Sequence, residues 1–298
     1  MTMPSRHIAI VAPSGYAIDQ AAYLRALQHL RNVGHQIHDF TAADARHQRF
    51  AATDAERLAQ LHNAAKHPDV ELVIALRGGY GLSRLLPEID FDLLANSGKR
   101  FIGHSDFTAI HMGLLTKHAI SFAGPMICDD FSRADLSEFT HSHFWQALSL
   151  PSFEVTAKAS SNPVIECEGK LWGGNLALLT HLIGTRWMPK VEQGILFVED
   201  INEHPYRIER MMLQLLHAGV LHNQRAIILG DFSAYKLTDY DNGYDFAAML
   251  AYLRKQIQVP ILTGLPFGHV RDKLTLPVGA QCRLSSNSEE FSLDLSIS

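Results

Sequence analysis

At 298 residues the chain exceeds what one hydrophobic core usually organises and suits two domains of about 130–150 residues each. Its 47% apolar content supports substantial cores, and 26 basic residues dispersed among 31 acidic ones leave no electrostatic footprint for nucleic acid or anionic lipid. No stretch approaches the ~20 consecutive apolar residues of a membrane span, and Cys128, Cys167 and Cys282 are too widely spaced for a disulfide framework or a zinc site, which fits a reducing compartment.

The segment from Met1 to His7 leads straight into an apolar run at 8–12, too short for a signal-peptide core, so a cytoplasmic location is expected. Residues 8–12 read as a strand, 21–33 as a helix and 36–40 as a second strand. A helix over 54–66 precedes a buried strand at 72–76, which ends at Arg77-Gly78-Gly79-Tyr80-Gly81. Another helix, a strand at 100–103 and a helical pattern over 109–118 follow. Strand–helix alternation of this kind predicts a parallel sheet covered on both faces, with ligands at the carboxyl ends of its strands. The turn-rich stretches Pro151-Ser152 and Ser160-Ser161-Asn162-Pro163 flank a candidate short strand and mark an inter-domain connection. The expected domains are therefore 1–152 and 163–298. The second is more mixed, with a glycine turn at Gly173-Gly174, strands near 195–198 and 226–229, helices over 206–218 and 246–256, and a strand-rich end.

Gly103-His104-Ser105-Asp106-Phe107-Thr108 carries the most chemistry. A strand turning through glycine into a helix exposes a serine on the corner, where free backbone N–H groups and the helix dipole favour developing negative charge. A serine nucleophile needs that, because its tetrahedral intermediate bears an oxyanion. The same residue also suits a plain helix N-cap. Gly78-Gly79-Tyr80-Gly81 lacks the third glycine of a dinucleotide fingerprint, since Arg84 stands there. It serves equally as a flexible turn or as a loop whose N–H groups approach a substrate.

Among 17 histidines, His141-Ser142-His143 near Asp129-Asp130 is the tightest cluster, but no metal-ligand spacing occurs and no metal is expected. Glu199 ends the apolar run 194–198, where an acid either leaves the sheet for solvent or points into a cleft. His269 sits in the glycine-framed loop Gly264-Leu265-Pro266-Phe267-Gly268-His269. Together Ser105, Glu199 and His269 give the order serine, acid, histidine of one known triad arrangement. Arg77, at a strand end, is placed to bind a substrate carboxylate or to form an ion pair between domains, and Arg186 and Arg207 are further candidates.

Five blocks in order resemble the LD-carboxypeptidase family of serine peptidases. They are Gly103-His104-Ser105-Asp106; Arg77-Gly78-Gly79-Tyr80-Gly81; Gly173-Gly174-Asn175-Leu176; Leu196-Phe197-Val198-Glu199-Asp200 with Tyr206-Arg207-Ile208-Glu209-Arg210-Met211; and Gly268-His269 with Thr275-Leu276-Pro277-Val278-Gly279. The resemblance spans nearly the whole chain. It implies an α/β fold, with a Rossmann-like parallel-sheet N-terminal domain and a smaller β-rich α+β C-terminal domain. It implies a Ser105–His269–Glu199 triad and an oxyanion hole from the N–H groups of Asp106 and Gly79, with Arg77, Gly78 and Tyr80 beside the substrate. It also implies a homodimer, and the reading requires no metal or organic cofactor. Its substrate would be a murein tetrapeptide, free or muropeptide-linked, losing D-alanine during peptidoglycan recycling. Phe107 replaces the last glycine of GxSxG and separates the chain from α/β-hydrolases. Two alternatives stay open. One is a microcin self-immunity type peptidase, for which Trp172, Trp187 or Tyr80 would supply a stacking platform; the other is a non-catalytic two-domain protein that closes on a small ligand.

Overall fold

Apolar runs that end at proline or glycine and alternate with one-sided helices pack most simply as parallel strands with helices laid across them. The structure, a computed structural model, describes residues 4–41 and 45–297. Met1, Thr2 and Met3, part of the segment read above for a signal peptide, lie outside the described residues.

Strands β1 (His7–Val11), β2 (Gln36–Asp39), β3 (Leu72–Ala75), β4 (Arg100–Gly103) and β5 (Ser121–Ala123) form a parallel sheet in the order β5-β4-β3-β1-β2. The intervening helices are α1 (Gln20–Asn32), α2 (Asp54–Lys66), α3 (Leu82–Leu85), α4 (Phe91–Asn96), α5 (Thr108–Leu115) and α6 (Glu138–Ser149). Every residue of β3 is buried, as a strand covered on both faces requires. Asp19 caps α1 by accepting the Ala22 N–H at 2.9 Å, and Thr53 with Glu56 closes a reciprocal capping box on α2.

The second sheet contains β6 (Ser152–Lys158), β7 (Ile165–Asn175), β8 (Ile195–Ile201), β9 (Ala226–Ser233) and β10 (Ile261–Thr263), followed after a short strand, β11 (Leu276–Val278), by β12 (Gln281–Ser286) and β13 (Glu290–Ser296). Its order is β10-β9-β8-β7-β12-β13-β6, parallel from β10 to β7 and antiparallel from β7 to β6. The pattern of each strand matches its place. β8 buries its first six residues, whereas β6 and β12 alternate buried and exposed side chains on a half-solvated face. Helices α7 (Leu176–Leu182), α8 (Pro205–His217) and α9 (Phe246–Gln256) accompany the parallel half.

Two elements depart from a simple reading in chain order. The short strand expected between the turn-rich stretches is the seven-residue β6, and it already belongs to the second sheet, paired with β13. β11 leaves the second sheet and pairs antiparallel with β5, extending the first sheet to six strands. The carboxyl edges of the two sheets meet where Asn175, ending β7, donates its N–H to Thr108 Oγ1 at 3.0 Å. An alanine Cβ at Gly174 would lie 2.5 Å from that oxygen, so the approach requires glycine.

Candidate active site

β4 delivers the chain to the serine corner. A side chain at Gly103 would meet the Phe107 ring at 2.7 Å, so glycine lets that ring fold back over the strand end. Ser105 then adopts φ +60°, the left-handed region that a residue with a Cβ occupies only under constraint. It opens a single 3-10 turn, Ser105–Phe107, before α5 begins. The turn is preceded by His104, and no side chain caps it. The N-cap reading of Ser105 therefore finds no support, and its hydroxyl stands at a strained strand-to-helix elbow.

Asp106 fixes the elbow from below. One carboxylate oxygen accepts from Ser14 Oγ at 2.6 Å and from the Leu82 N–H at 2.9 Å, tying together the loops after β1, β3 and β4. Burial raises its pKa, and these hydrogen bonds oppose the rise. The glycine loop lies directly over Ser105: an ideal Cβ on Gly78 would sit 2.9 Å from the serine Cβ and Oγ alike. Gly78 accepts the Gly15 N–H at 3.3 Å, and Gly79 has φ +114°.

From the second sheet, β8 carries Glu199 into the interior, fully buried. Its Oε2 bonds His269 Nδ1 at 2.8 Å, and its Oε1 accepts from Asn175 Nδ2 at 3.2 Å. Asn175 also bonds Asp200 at 2.9 Å, whose other oxygen accepts the Ala177 N–H at 2.9 Å. Burial, reinforced by the Glu199 charge, pushes the Asp200 carboxyl up to about 6. Burial disfavours the charged form of His269, but the hydrogen bond and charge of Glu199 outweigh it and hold its pKa above the ordinary value. His269 packs edge-on against His104, ring centroids 5.1 Å apart, which places it against the residue preceding Ser105. His104 itself is buried, bonds the Gly124 carbonyl at 3.0 Å and has its pKa pushed well down by burial.

Profiles of the LD-carboxypeptidase N-terminal domain and the LD-carboxypeptidase C-terminal domain match residues 8–124 and 168–284. The chain belongs to the LD-carboxypeptidase family. It is similar to the crystal structure of a muramoyltetrapeptide carboxypeptidase from Oxalobacter formigenes, with 53% identity and a TM-score of 0.93 over 97% of this chain and 98% of that one. A probable murein peptide carboxypeptidase of Bacillus subtilis is 30% identical over 98% of this chain and 92% of its own length. The microcin C7 self-immunity protein MccF of Escherichia coli is 27% identical over 82% of this chain and 79% of that protein.

As an LD-carboxypeptidase the chain holds its remaining sequence candidates in distinct places. Arg77 is half-buried beside the glycine loop; its Nη1 donates to the Tyr16 carbonyl at 3.5 Å, and among the described residues it has no ion pair, between domains or otherwise. Tyr80 is 43% exposed on that loop, with Arg49 over its ring. Arg186 instead reaches the Pro87 carbonyl and stacks on Trp187, and Arg207 pairs with Glu203. Trp172 is buried against Gln224, its Nε1–H bonded at 2.9 Å, so it offers no stacking platform. His141 packs on Phe131, and His143 bonds the Phe139 carbonyl of its own helix.

Sequence reasoning missed Lys273 and its partner. This lysine is buried and donates to Asp130 Oδ1 at 2.7 Å, while Asp130 Oδ2 accepts the Met126 N–H at 2.8 Å. The bond docks the segment after His269 onto the single π-helical turn Ile127–Phe131 of the first domain. The available signal was a lone lysine leading the otherwise apolar run 274–278.

Proposed function

We propose that this chain is a serine LD-carboxypeptidase that releases the terminal D-alanine from murein tetrapeptides, free or muropeptide-linked, in peptidoglycan recycling. One observation carries the reading: a serine strained into the left-handed region at a strand-to-helix corner follows His104, and against the His104 ring packs a histidine bonded to a fully buried glutamate from the second sheet. Ser105 is the nucleophile. His269 takes the hydroxyl proton as Ser105 Oγ attacks the scissile carbonyl, while its Nδ1–H stays bonded to Glu199. The N–H groups of Asp106 and Gly79 receive the oxyanion. His269 then protonates the departing nitrogen, D-alanine leaves, and water activated by the same imidazole hydrolyses the acyl-serine. Arg77 pairs with the terminal carboxylate, beside Gly78 and Tyr80.

The raised pKa of His269 serves this cycle, because the imidazolium formed in acylation is stabilised by the adjacent carboxylate. The reading extends to a cytoplasmic homodimer, supported by the family resemblance; sedimentation tests the assembly. No helix among the described residues is long and apolar enough to cross a membrane.

Incubation with a murein tetrapeptide, followed by mass spectrometry, tests the reading directly. The expected products are the tripeptide and D-alanine. Ser105→Ala should abolish turnover in a folded protein that still binds substrate. Full activity in that variant, or an intact tetrapeptide after incubation with the wild-type enzyme, overturns the assignment.

A further inference from the structure

At the start of the glycine loop lies a cavity of about 150 Å³, lined by Ile18, Asp19, Ala22, Arg77, Cys128 and Asp129. Two opposite charges face it without neutralising each other. Arg77 has only its 3.5 Å bond to Tyr16, and among the described residues neither it nor Asp129 forms an ion pair within 4.0 Å. The Asp129 carboxylate accepts no hydrogen bond among the described residues, and Asp19 spends one oxygen on the Ala22 N–H. Opposite charges in a partly buried setting attract strongly at contact distance. The fold therefore holds them apart across the space between.

That space has a polarity. Arg77 adjoins Gly78, which lies over Ser105, so the cationic wall is next to the nucleophile. Asp129 and Asp19 supply the anionic wall; burial and then the neighbouring Asp130 raise the Asp129 pKa, and the Lys273, Arg77 and His269 charges oppose the rise. A bare carboxylate would meet Arg77 but be repelled by two acids, and a bare amine would suffer the converse. A molecule carrying both charged groups on one carbon satisfies both walls. The volume equals about five water molecules, close to the bulk of a small amino acid.

We propose that this cavity binds a free amino acid as its zwitterion, with its carboxylate on Arg77 and its ammonium toward Asp129 and Asp19. The proposal rests on the carboxypeptidase reading, in which the leaving group is such an amino acid. The scissile nitrogen is uncharged in the substrate and becomes an ammonium only after cleavage, so Asp129 stabilises the product state rather than the substrate. A bound amino acid can also re-enter the acyl-enzyme. Its ammonium first loses one proton to water, and the amine then attacks the Ser105 ester carbonyl. A C–N bond forms, His269 takes the second nitrogen proton and passes it to Ser105 Oγ, and the C–O bond breaks. The enzyme therefore exchanges the terminal residue as well as hydrolysing it.

The binding test uses folded Ser105→Ala protein, titrated near pH 7 by calorimetry with D-alanine, D-lactate, which lacks the ammonium, and D-alaninamide, which lacks the carboxylate. D-alanine is expected to bind at least ten times more tightly than either analogue, and Asp129→Asn in the same background to remove its advantage over D-lactate. Equal affinity for all three ligands, no saturable binding, or an unchanged preference in Asp129→Asn overturns the site. The exchange test supplies wild-type enzyme with tetrapeptide and carbon-13 D-alanine. Labelled tetrapeptide is expected, and hydrolysis without label incorporation overturns the exchange. Tripeptide release in that same reaction reports on the carboxypeptidase reading separately, so the two can fail independently.

Discussion

Placing alanine at position 78 perturbs the proposed nucleophile through one methyl group. The new Cβ would lie 2.9 Å from both Cβ and Oγ of Ser105, about 0.5 Å inside the 3.4 Å at which ordinary contact begins. The serine Cβ cannot swing aside, because it is fixed to a backbone already held at φ +60°. Gly78 has no positive φ, so alanine brings no backbone strain of its own and the effect is steric. Relief requires the loop or the elbow to move. Overpacking of this kind costs about 1–3 kcal/mol, which lowers Tm by roughly 2–10 °C in a chain of this size. Displacing a reacting group by about 1 Å costs on the order of 100-fold in rate. The assay is kcat/KM on murein tetrapeptide beside thermal denaturation, with about 100-fold lower activity expected and only modest destabilisation. Gly79→Ala is the contrasting variant, since its Cβ would enter open space 3.9 Å from the nearest atom but at φ +114°, a backbone penalty of about 1–2 kcal/mol. Wild-type kcat/KM in Gly78→Ala would refute both the tight seating of the loop and the role of Ser105 beneath it.

Glu199→Gln removes the hydrogen-bonded charge that raises the His269 pKa. Because the base must be neutral to accept the serine proton, the acid limb of kcat/KM should shift to lower pH while the plateau falls about 10³–10⁴-fold; an unmoved limb contradicts the pairing. Lys273→Met strands Asp130 as an unpaired buried charge and should cost about 3–5 kcal/mol in chemical denaturation. The Lys273→Met/Asp130→Asn double variant should recover much of that, and a single-variant loss below about 1 kcal/mol would deny the pair its structural role. Arg77→Ala should slow cleavage of the free-acid tetrapeptide far more than of its carboxamide, whereas equal losses would make the arginine structural.

Much of the site was legible because its residues obey local rules. Gly103 and Ser105 mark a strand-to-helix corner whatever surrounds them, and an acid at the end of a run as apolar as 194–198 has few destinations. What Glu199 meets there was not local, since its two oxygens are taken by Asn175 and His269, 24 and 70 residues away. The Lys273–Asp130 pair spans 143 residues, and nothing near either side chain in sequence announces the other. The pairing of β11 with β5 was equally hidden, because three apolar residues show that a strand is present but not which sheet it joins. Trp172 misled for the same reason: a tryptophan after a polar stretch reads as accessible until β7 buries it.

The hidden contacts bear on how the proposed triad, divided between two sheets, would hold its geometry. Interfaces between domains are usually polar and mobile, and the proposed mechanism asks His269 to serve Glu199 on one side and Ser105 on the other. The segment after His269 is anchored repeatedly on the first domain. Thr140 Oγ1 donates to the Arg271 carbonyl at 2.9 Å and accepts the Lys273 N–H at 3.0 Å, Ser137 Oγ donates to Asp272 at 2.5 Å, and Lys273 reaches Asp130. β11 then enters the nucleophile's own sheet. On the other side the Phe267 carbonyl accepts the Asp231 N–H of β9 at 2.8 Å and Glu199 of β8 bonds the ring, while Thr108 with Asn175 clamps the two sheets at the base of the elbow. The loop that carries the histidine is thus held on both domains. A shift of about 1 Å in reacting atoms is enough to cost 100-fold. Anchoring the loop of His269 to both sheets would therefore keep the proposed base in register with the Ser105 elbow and with Glu199 together.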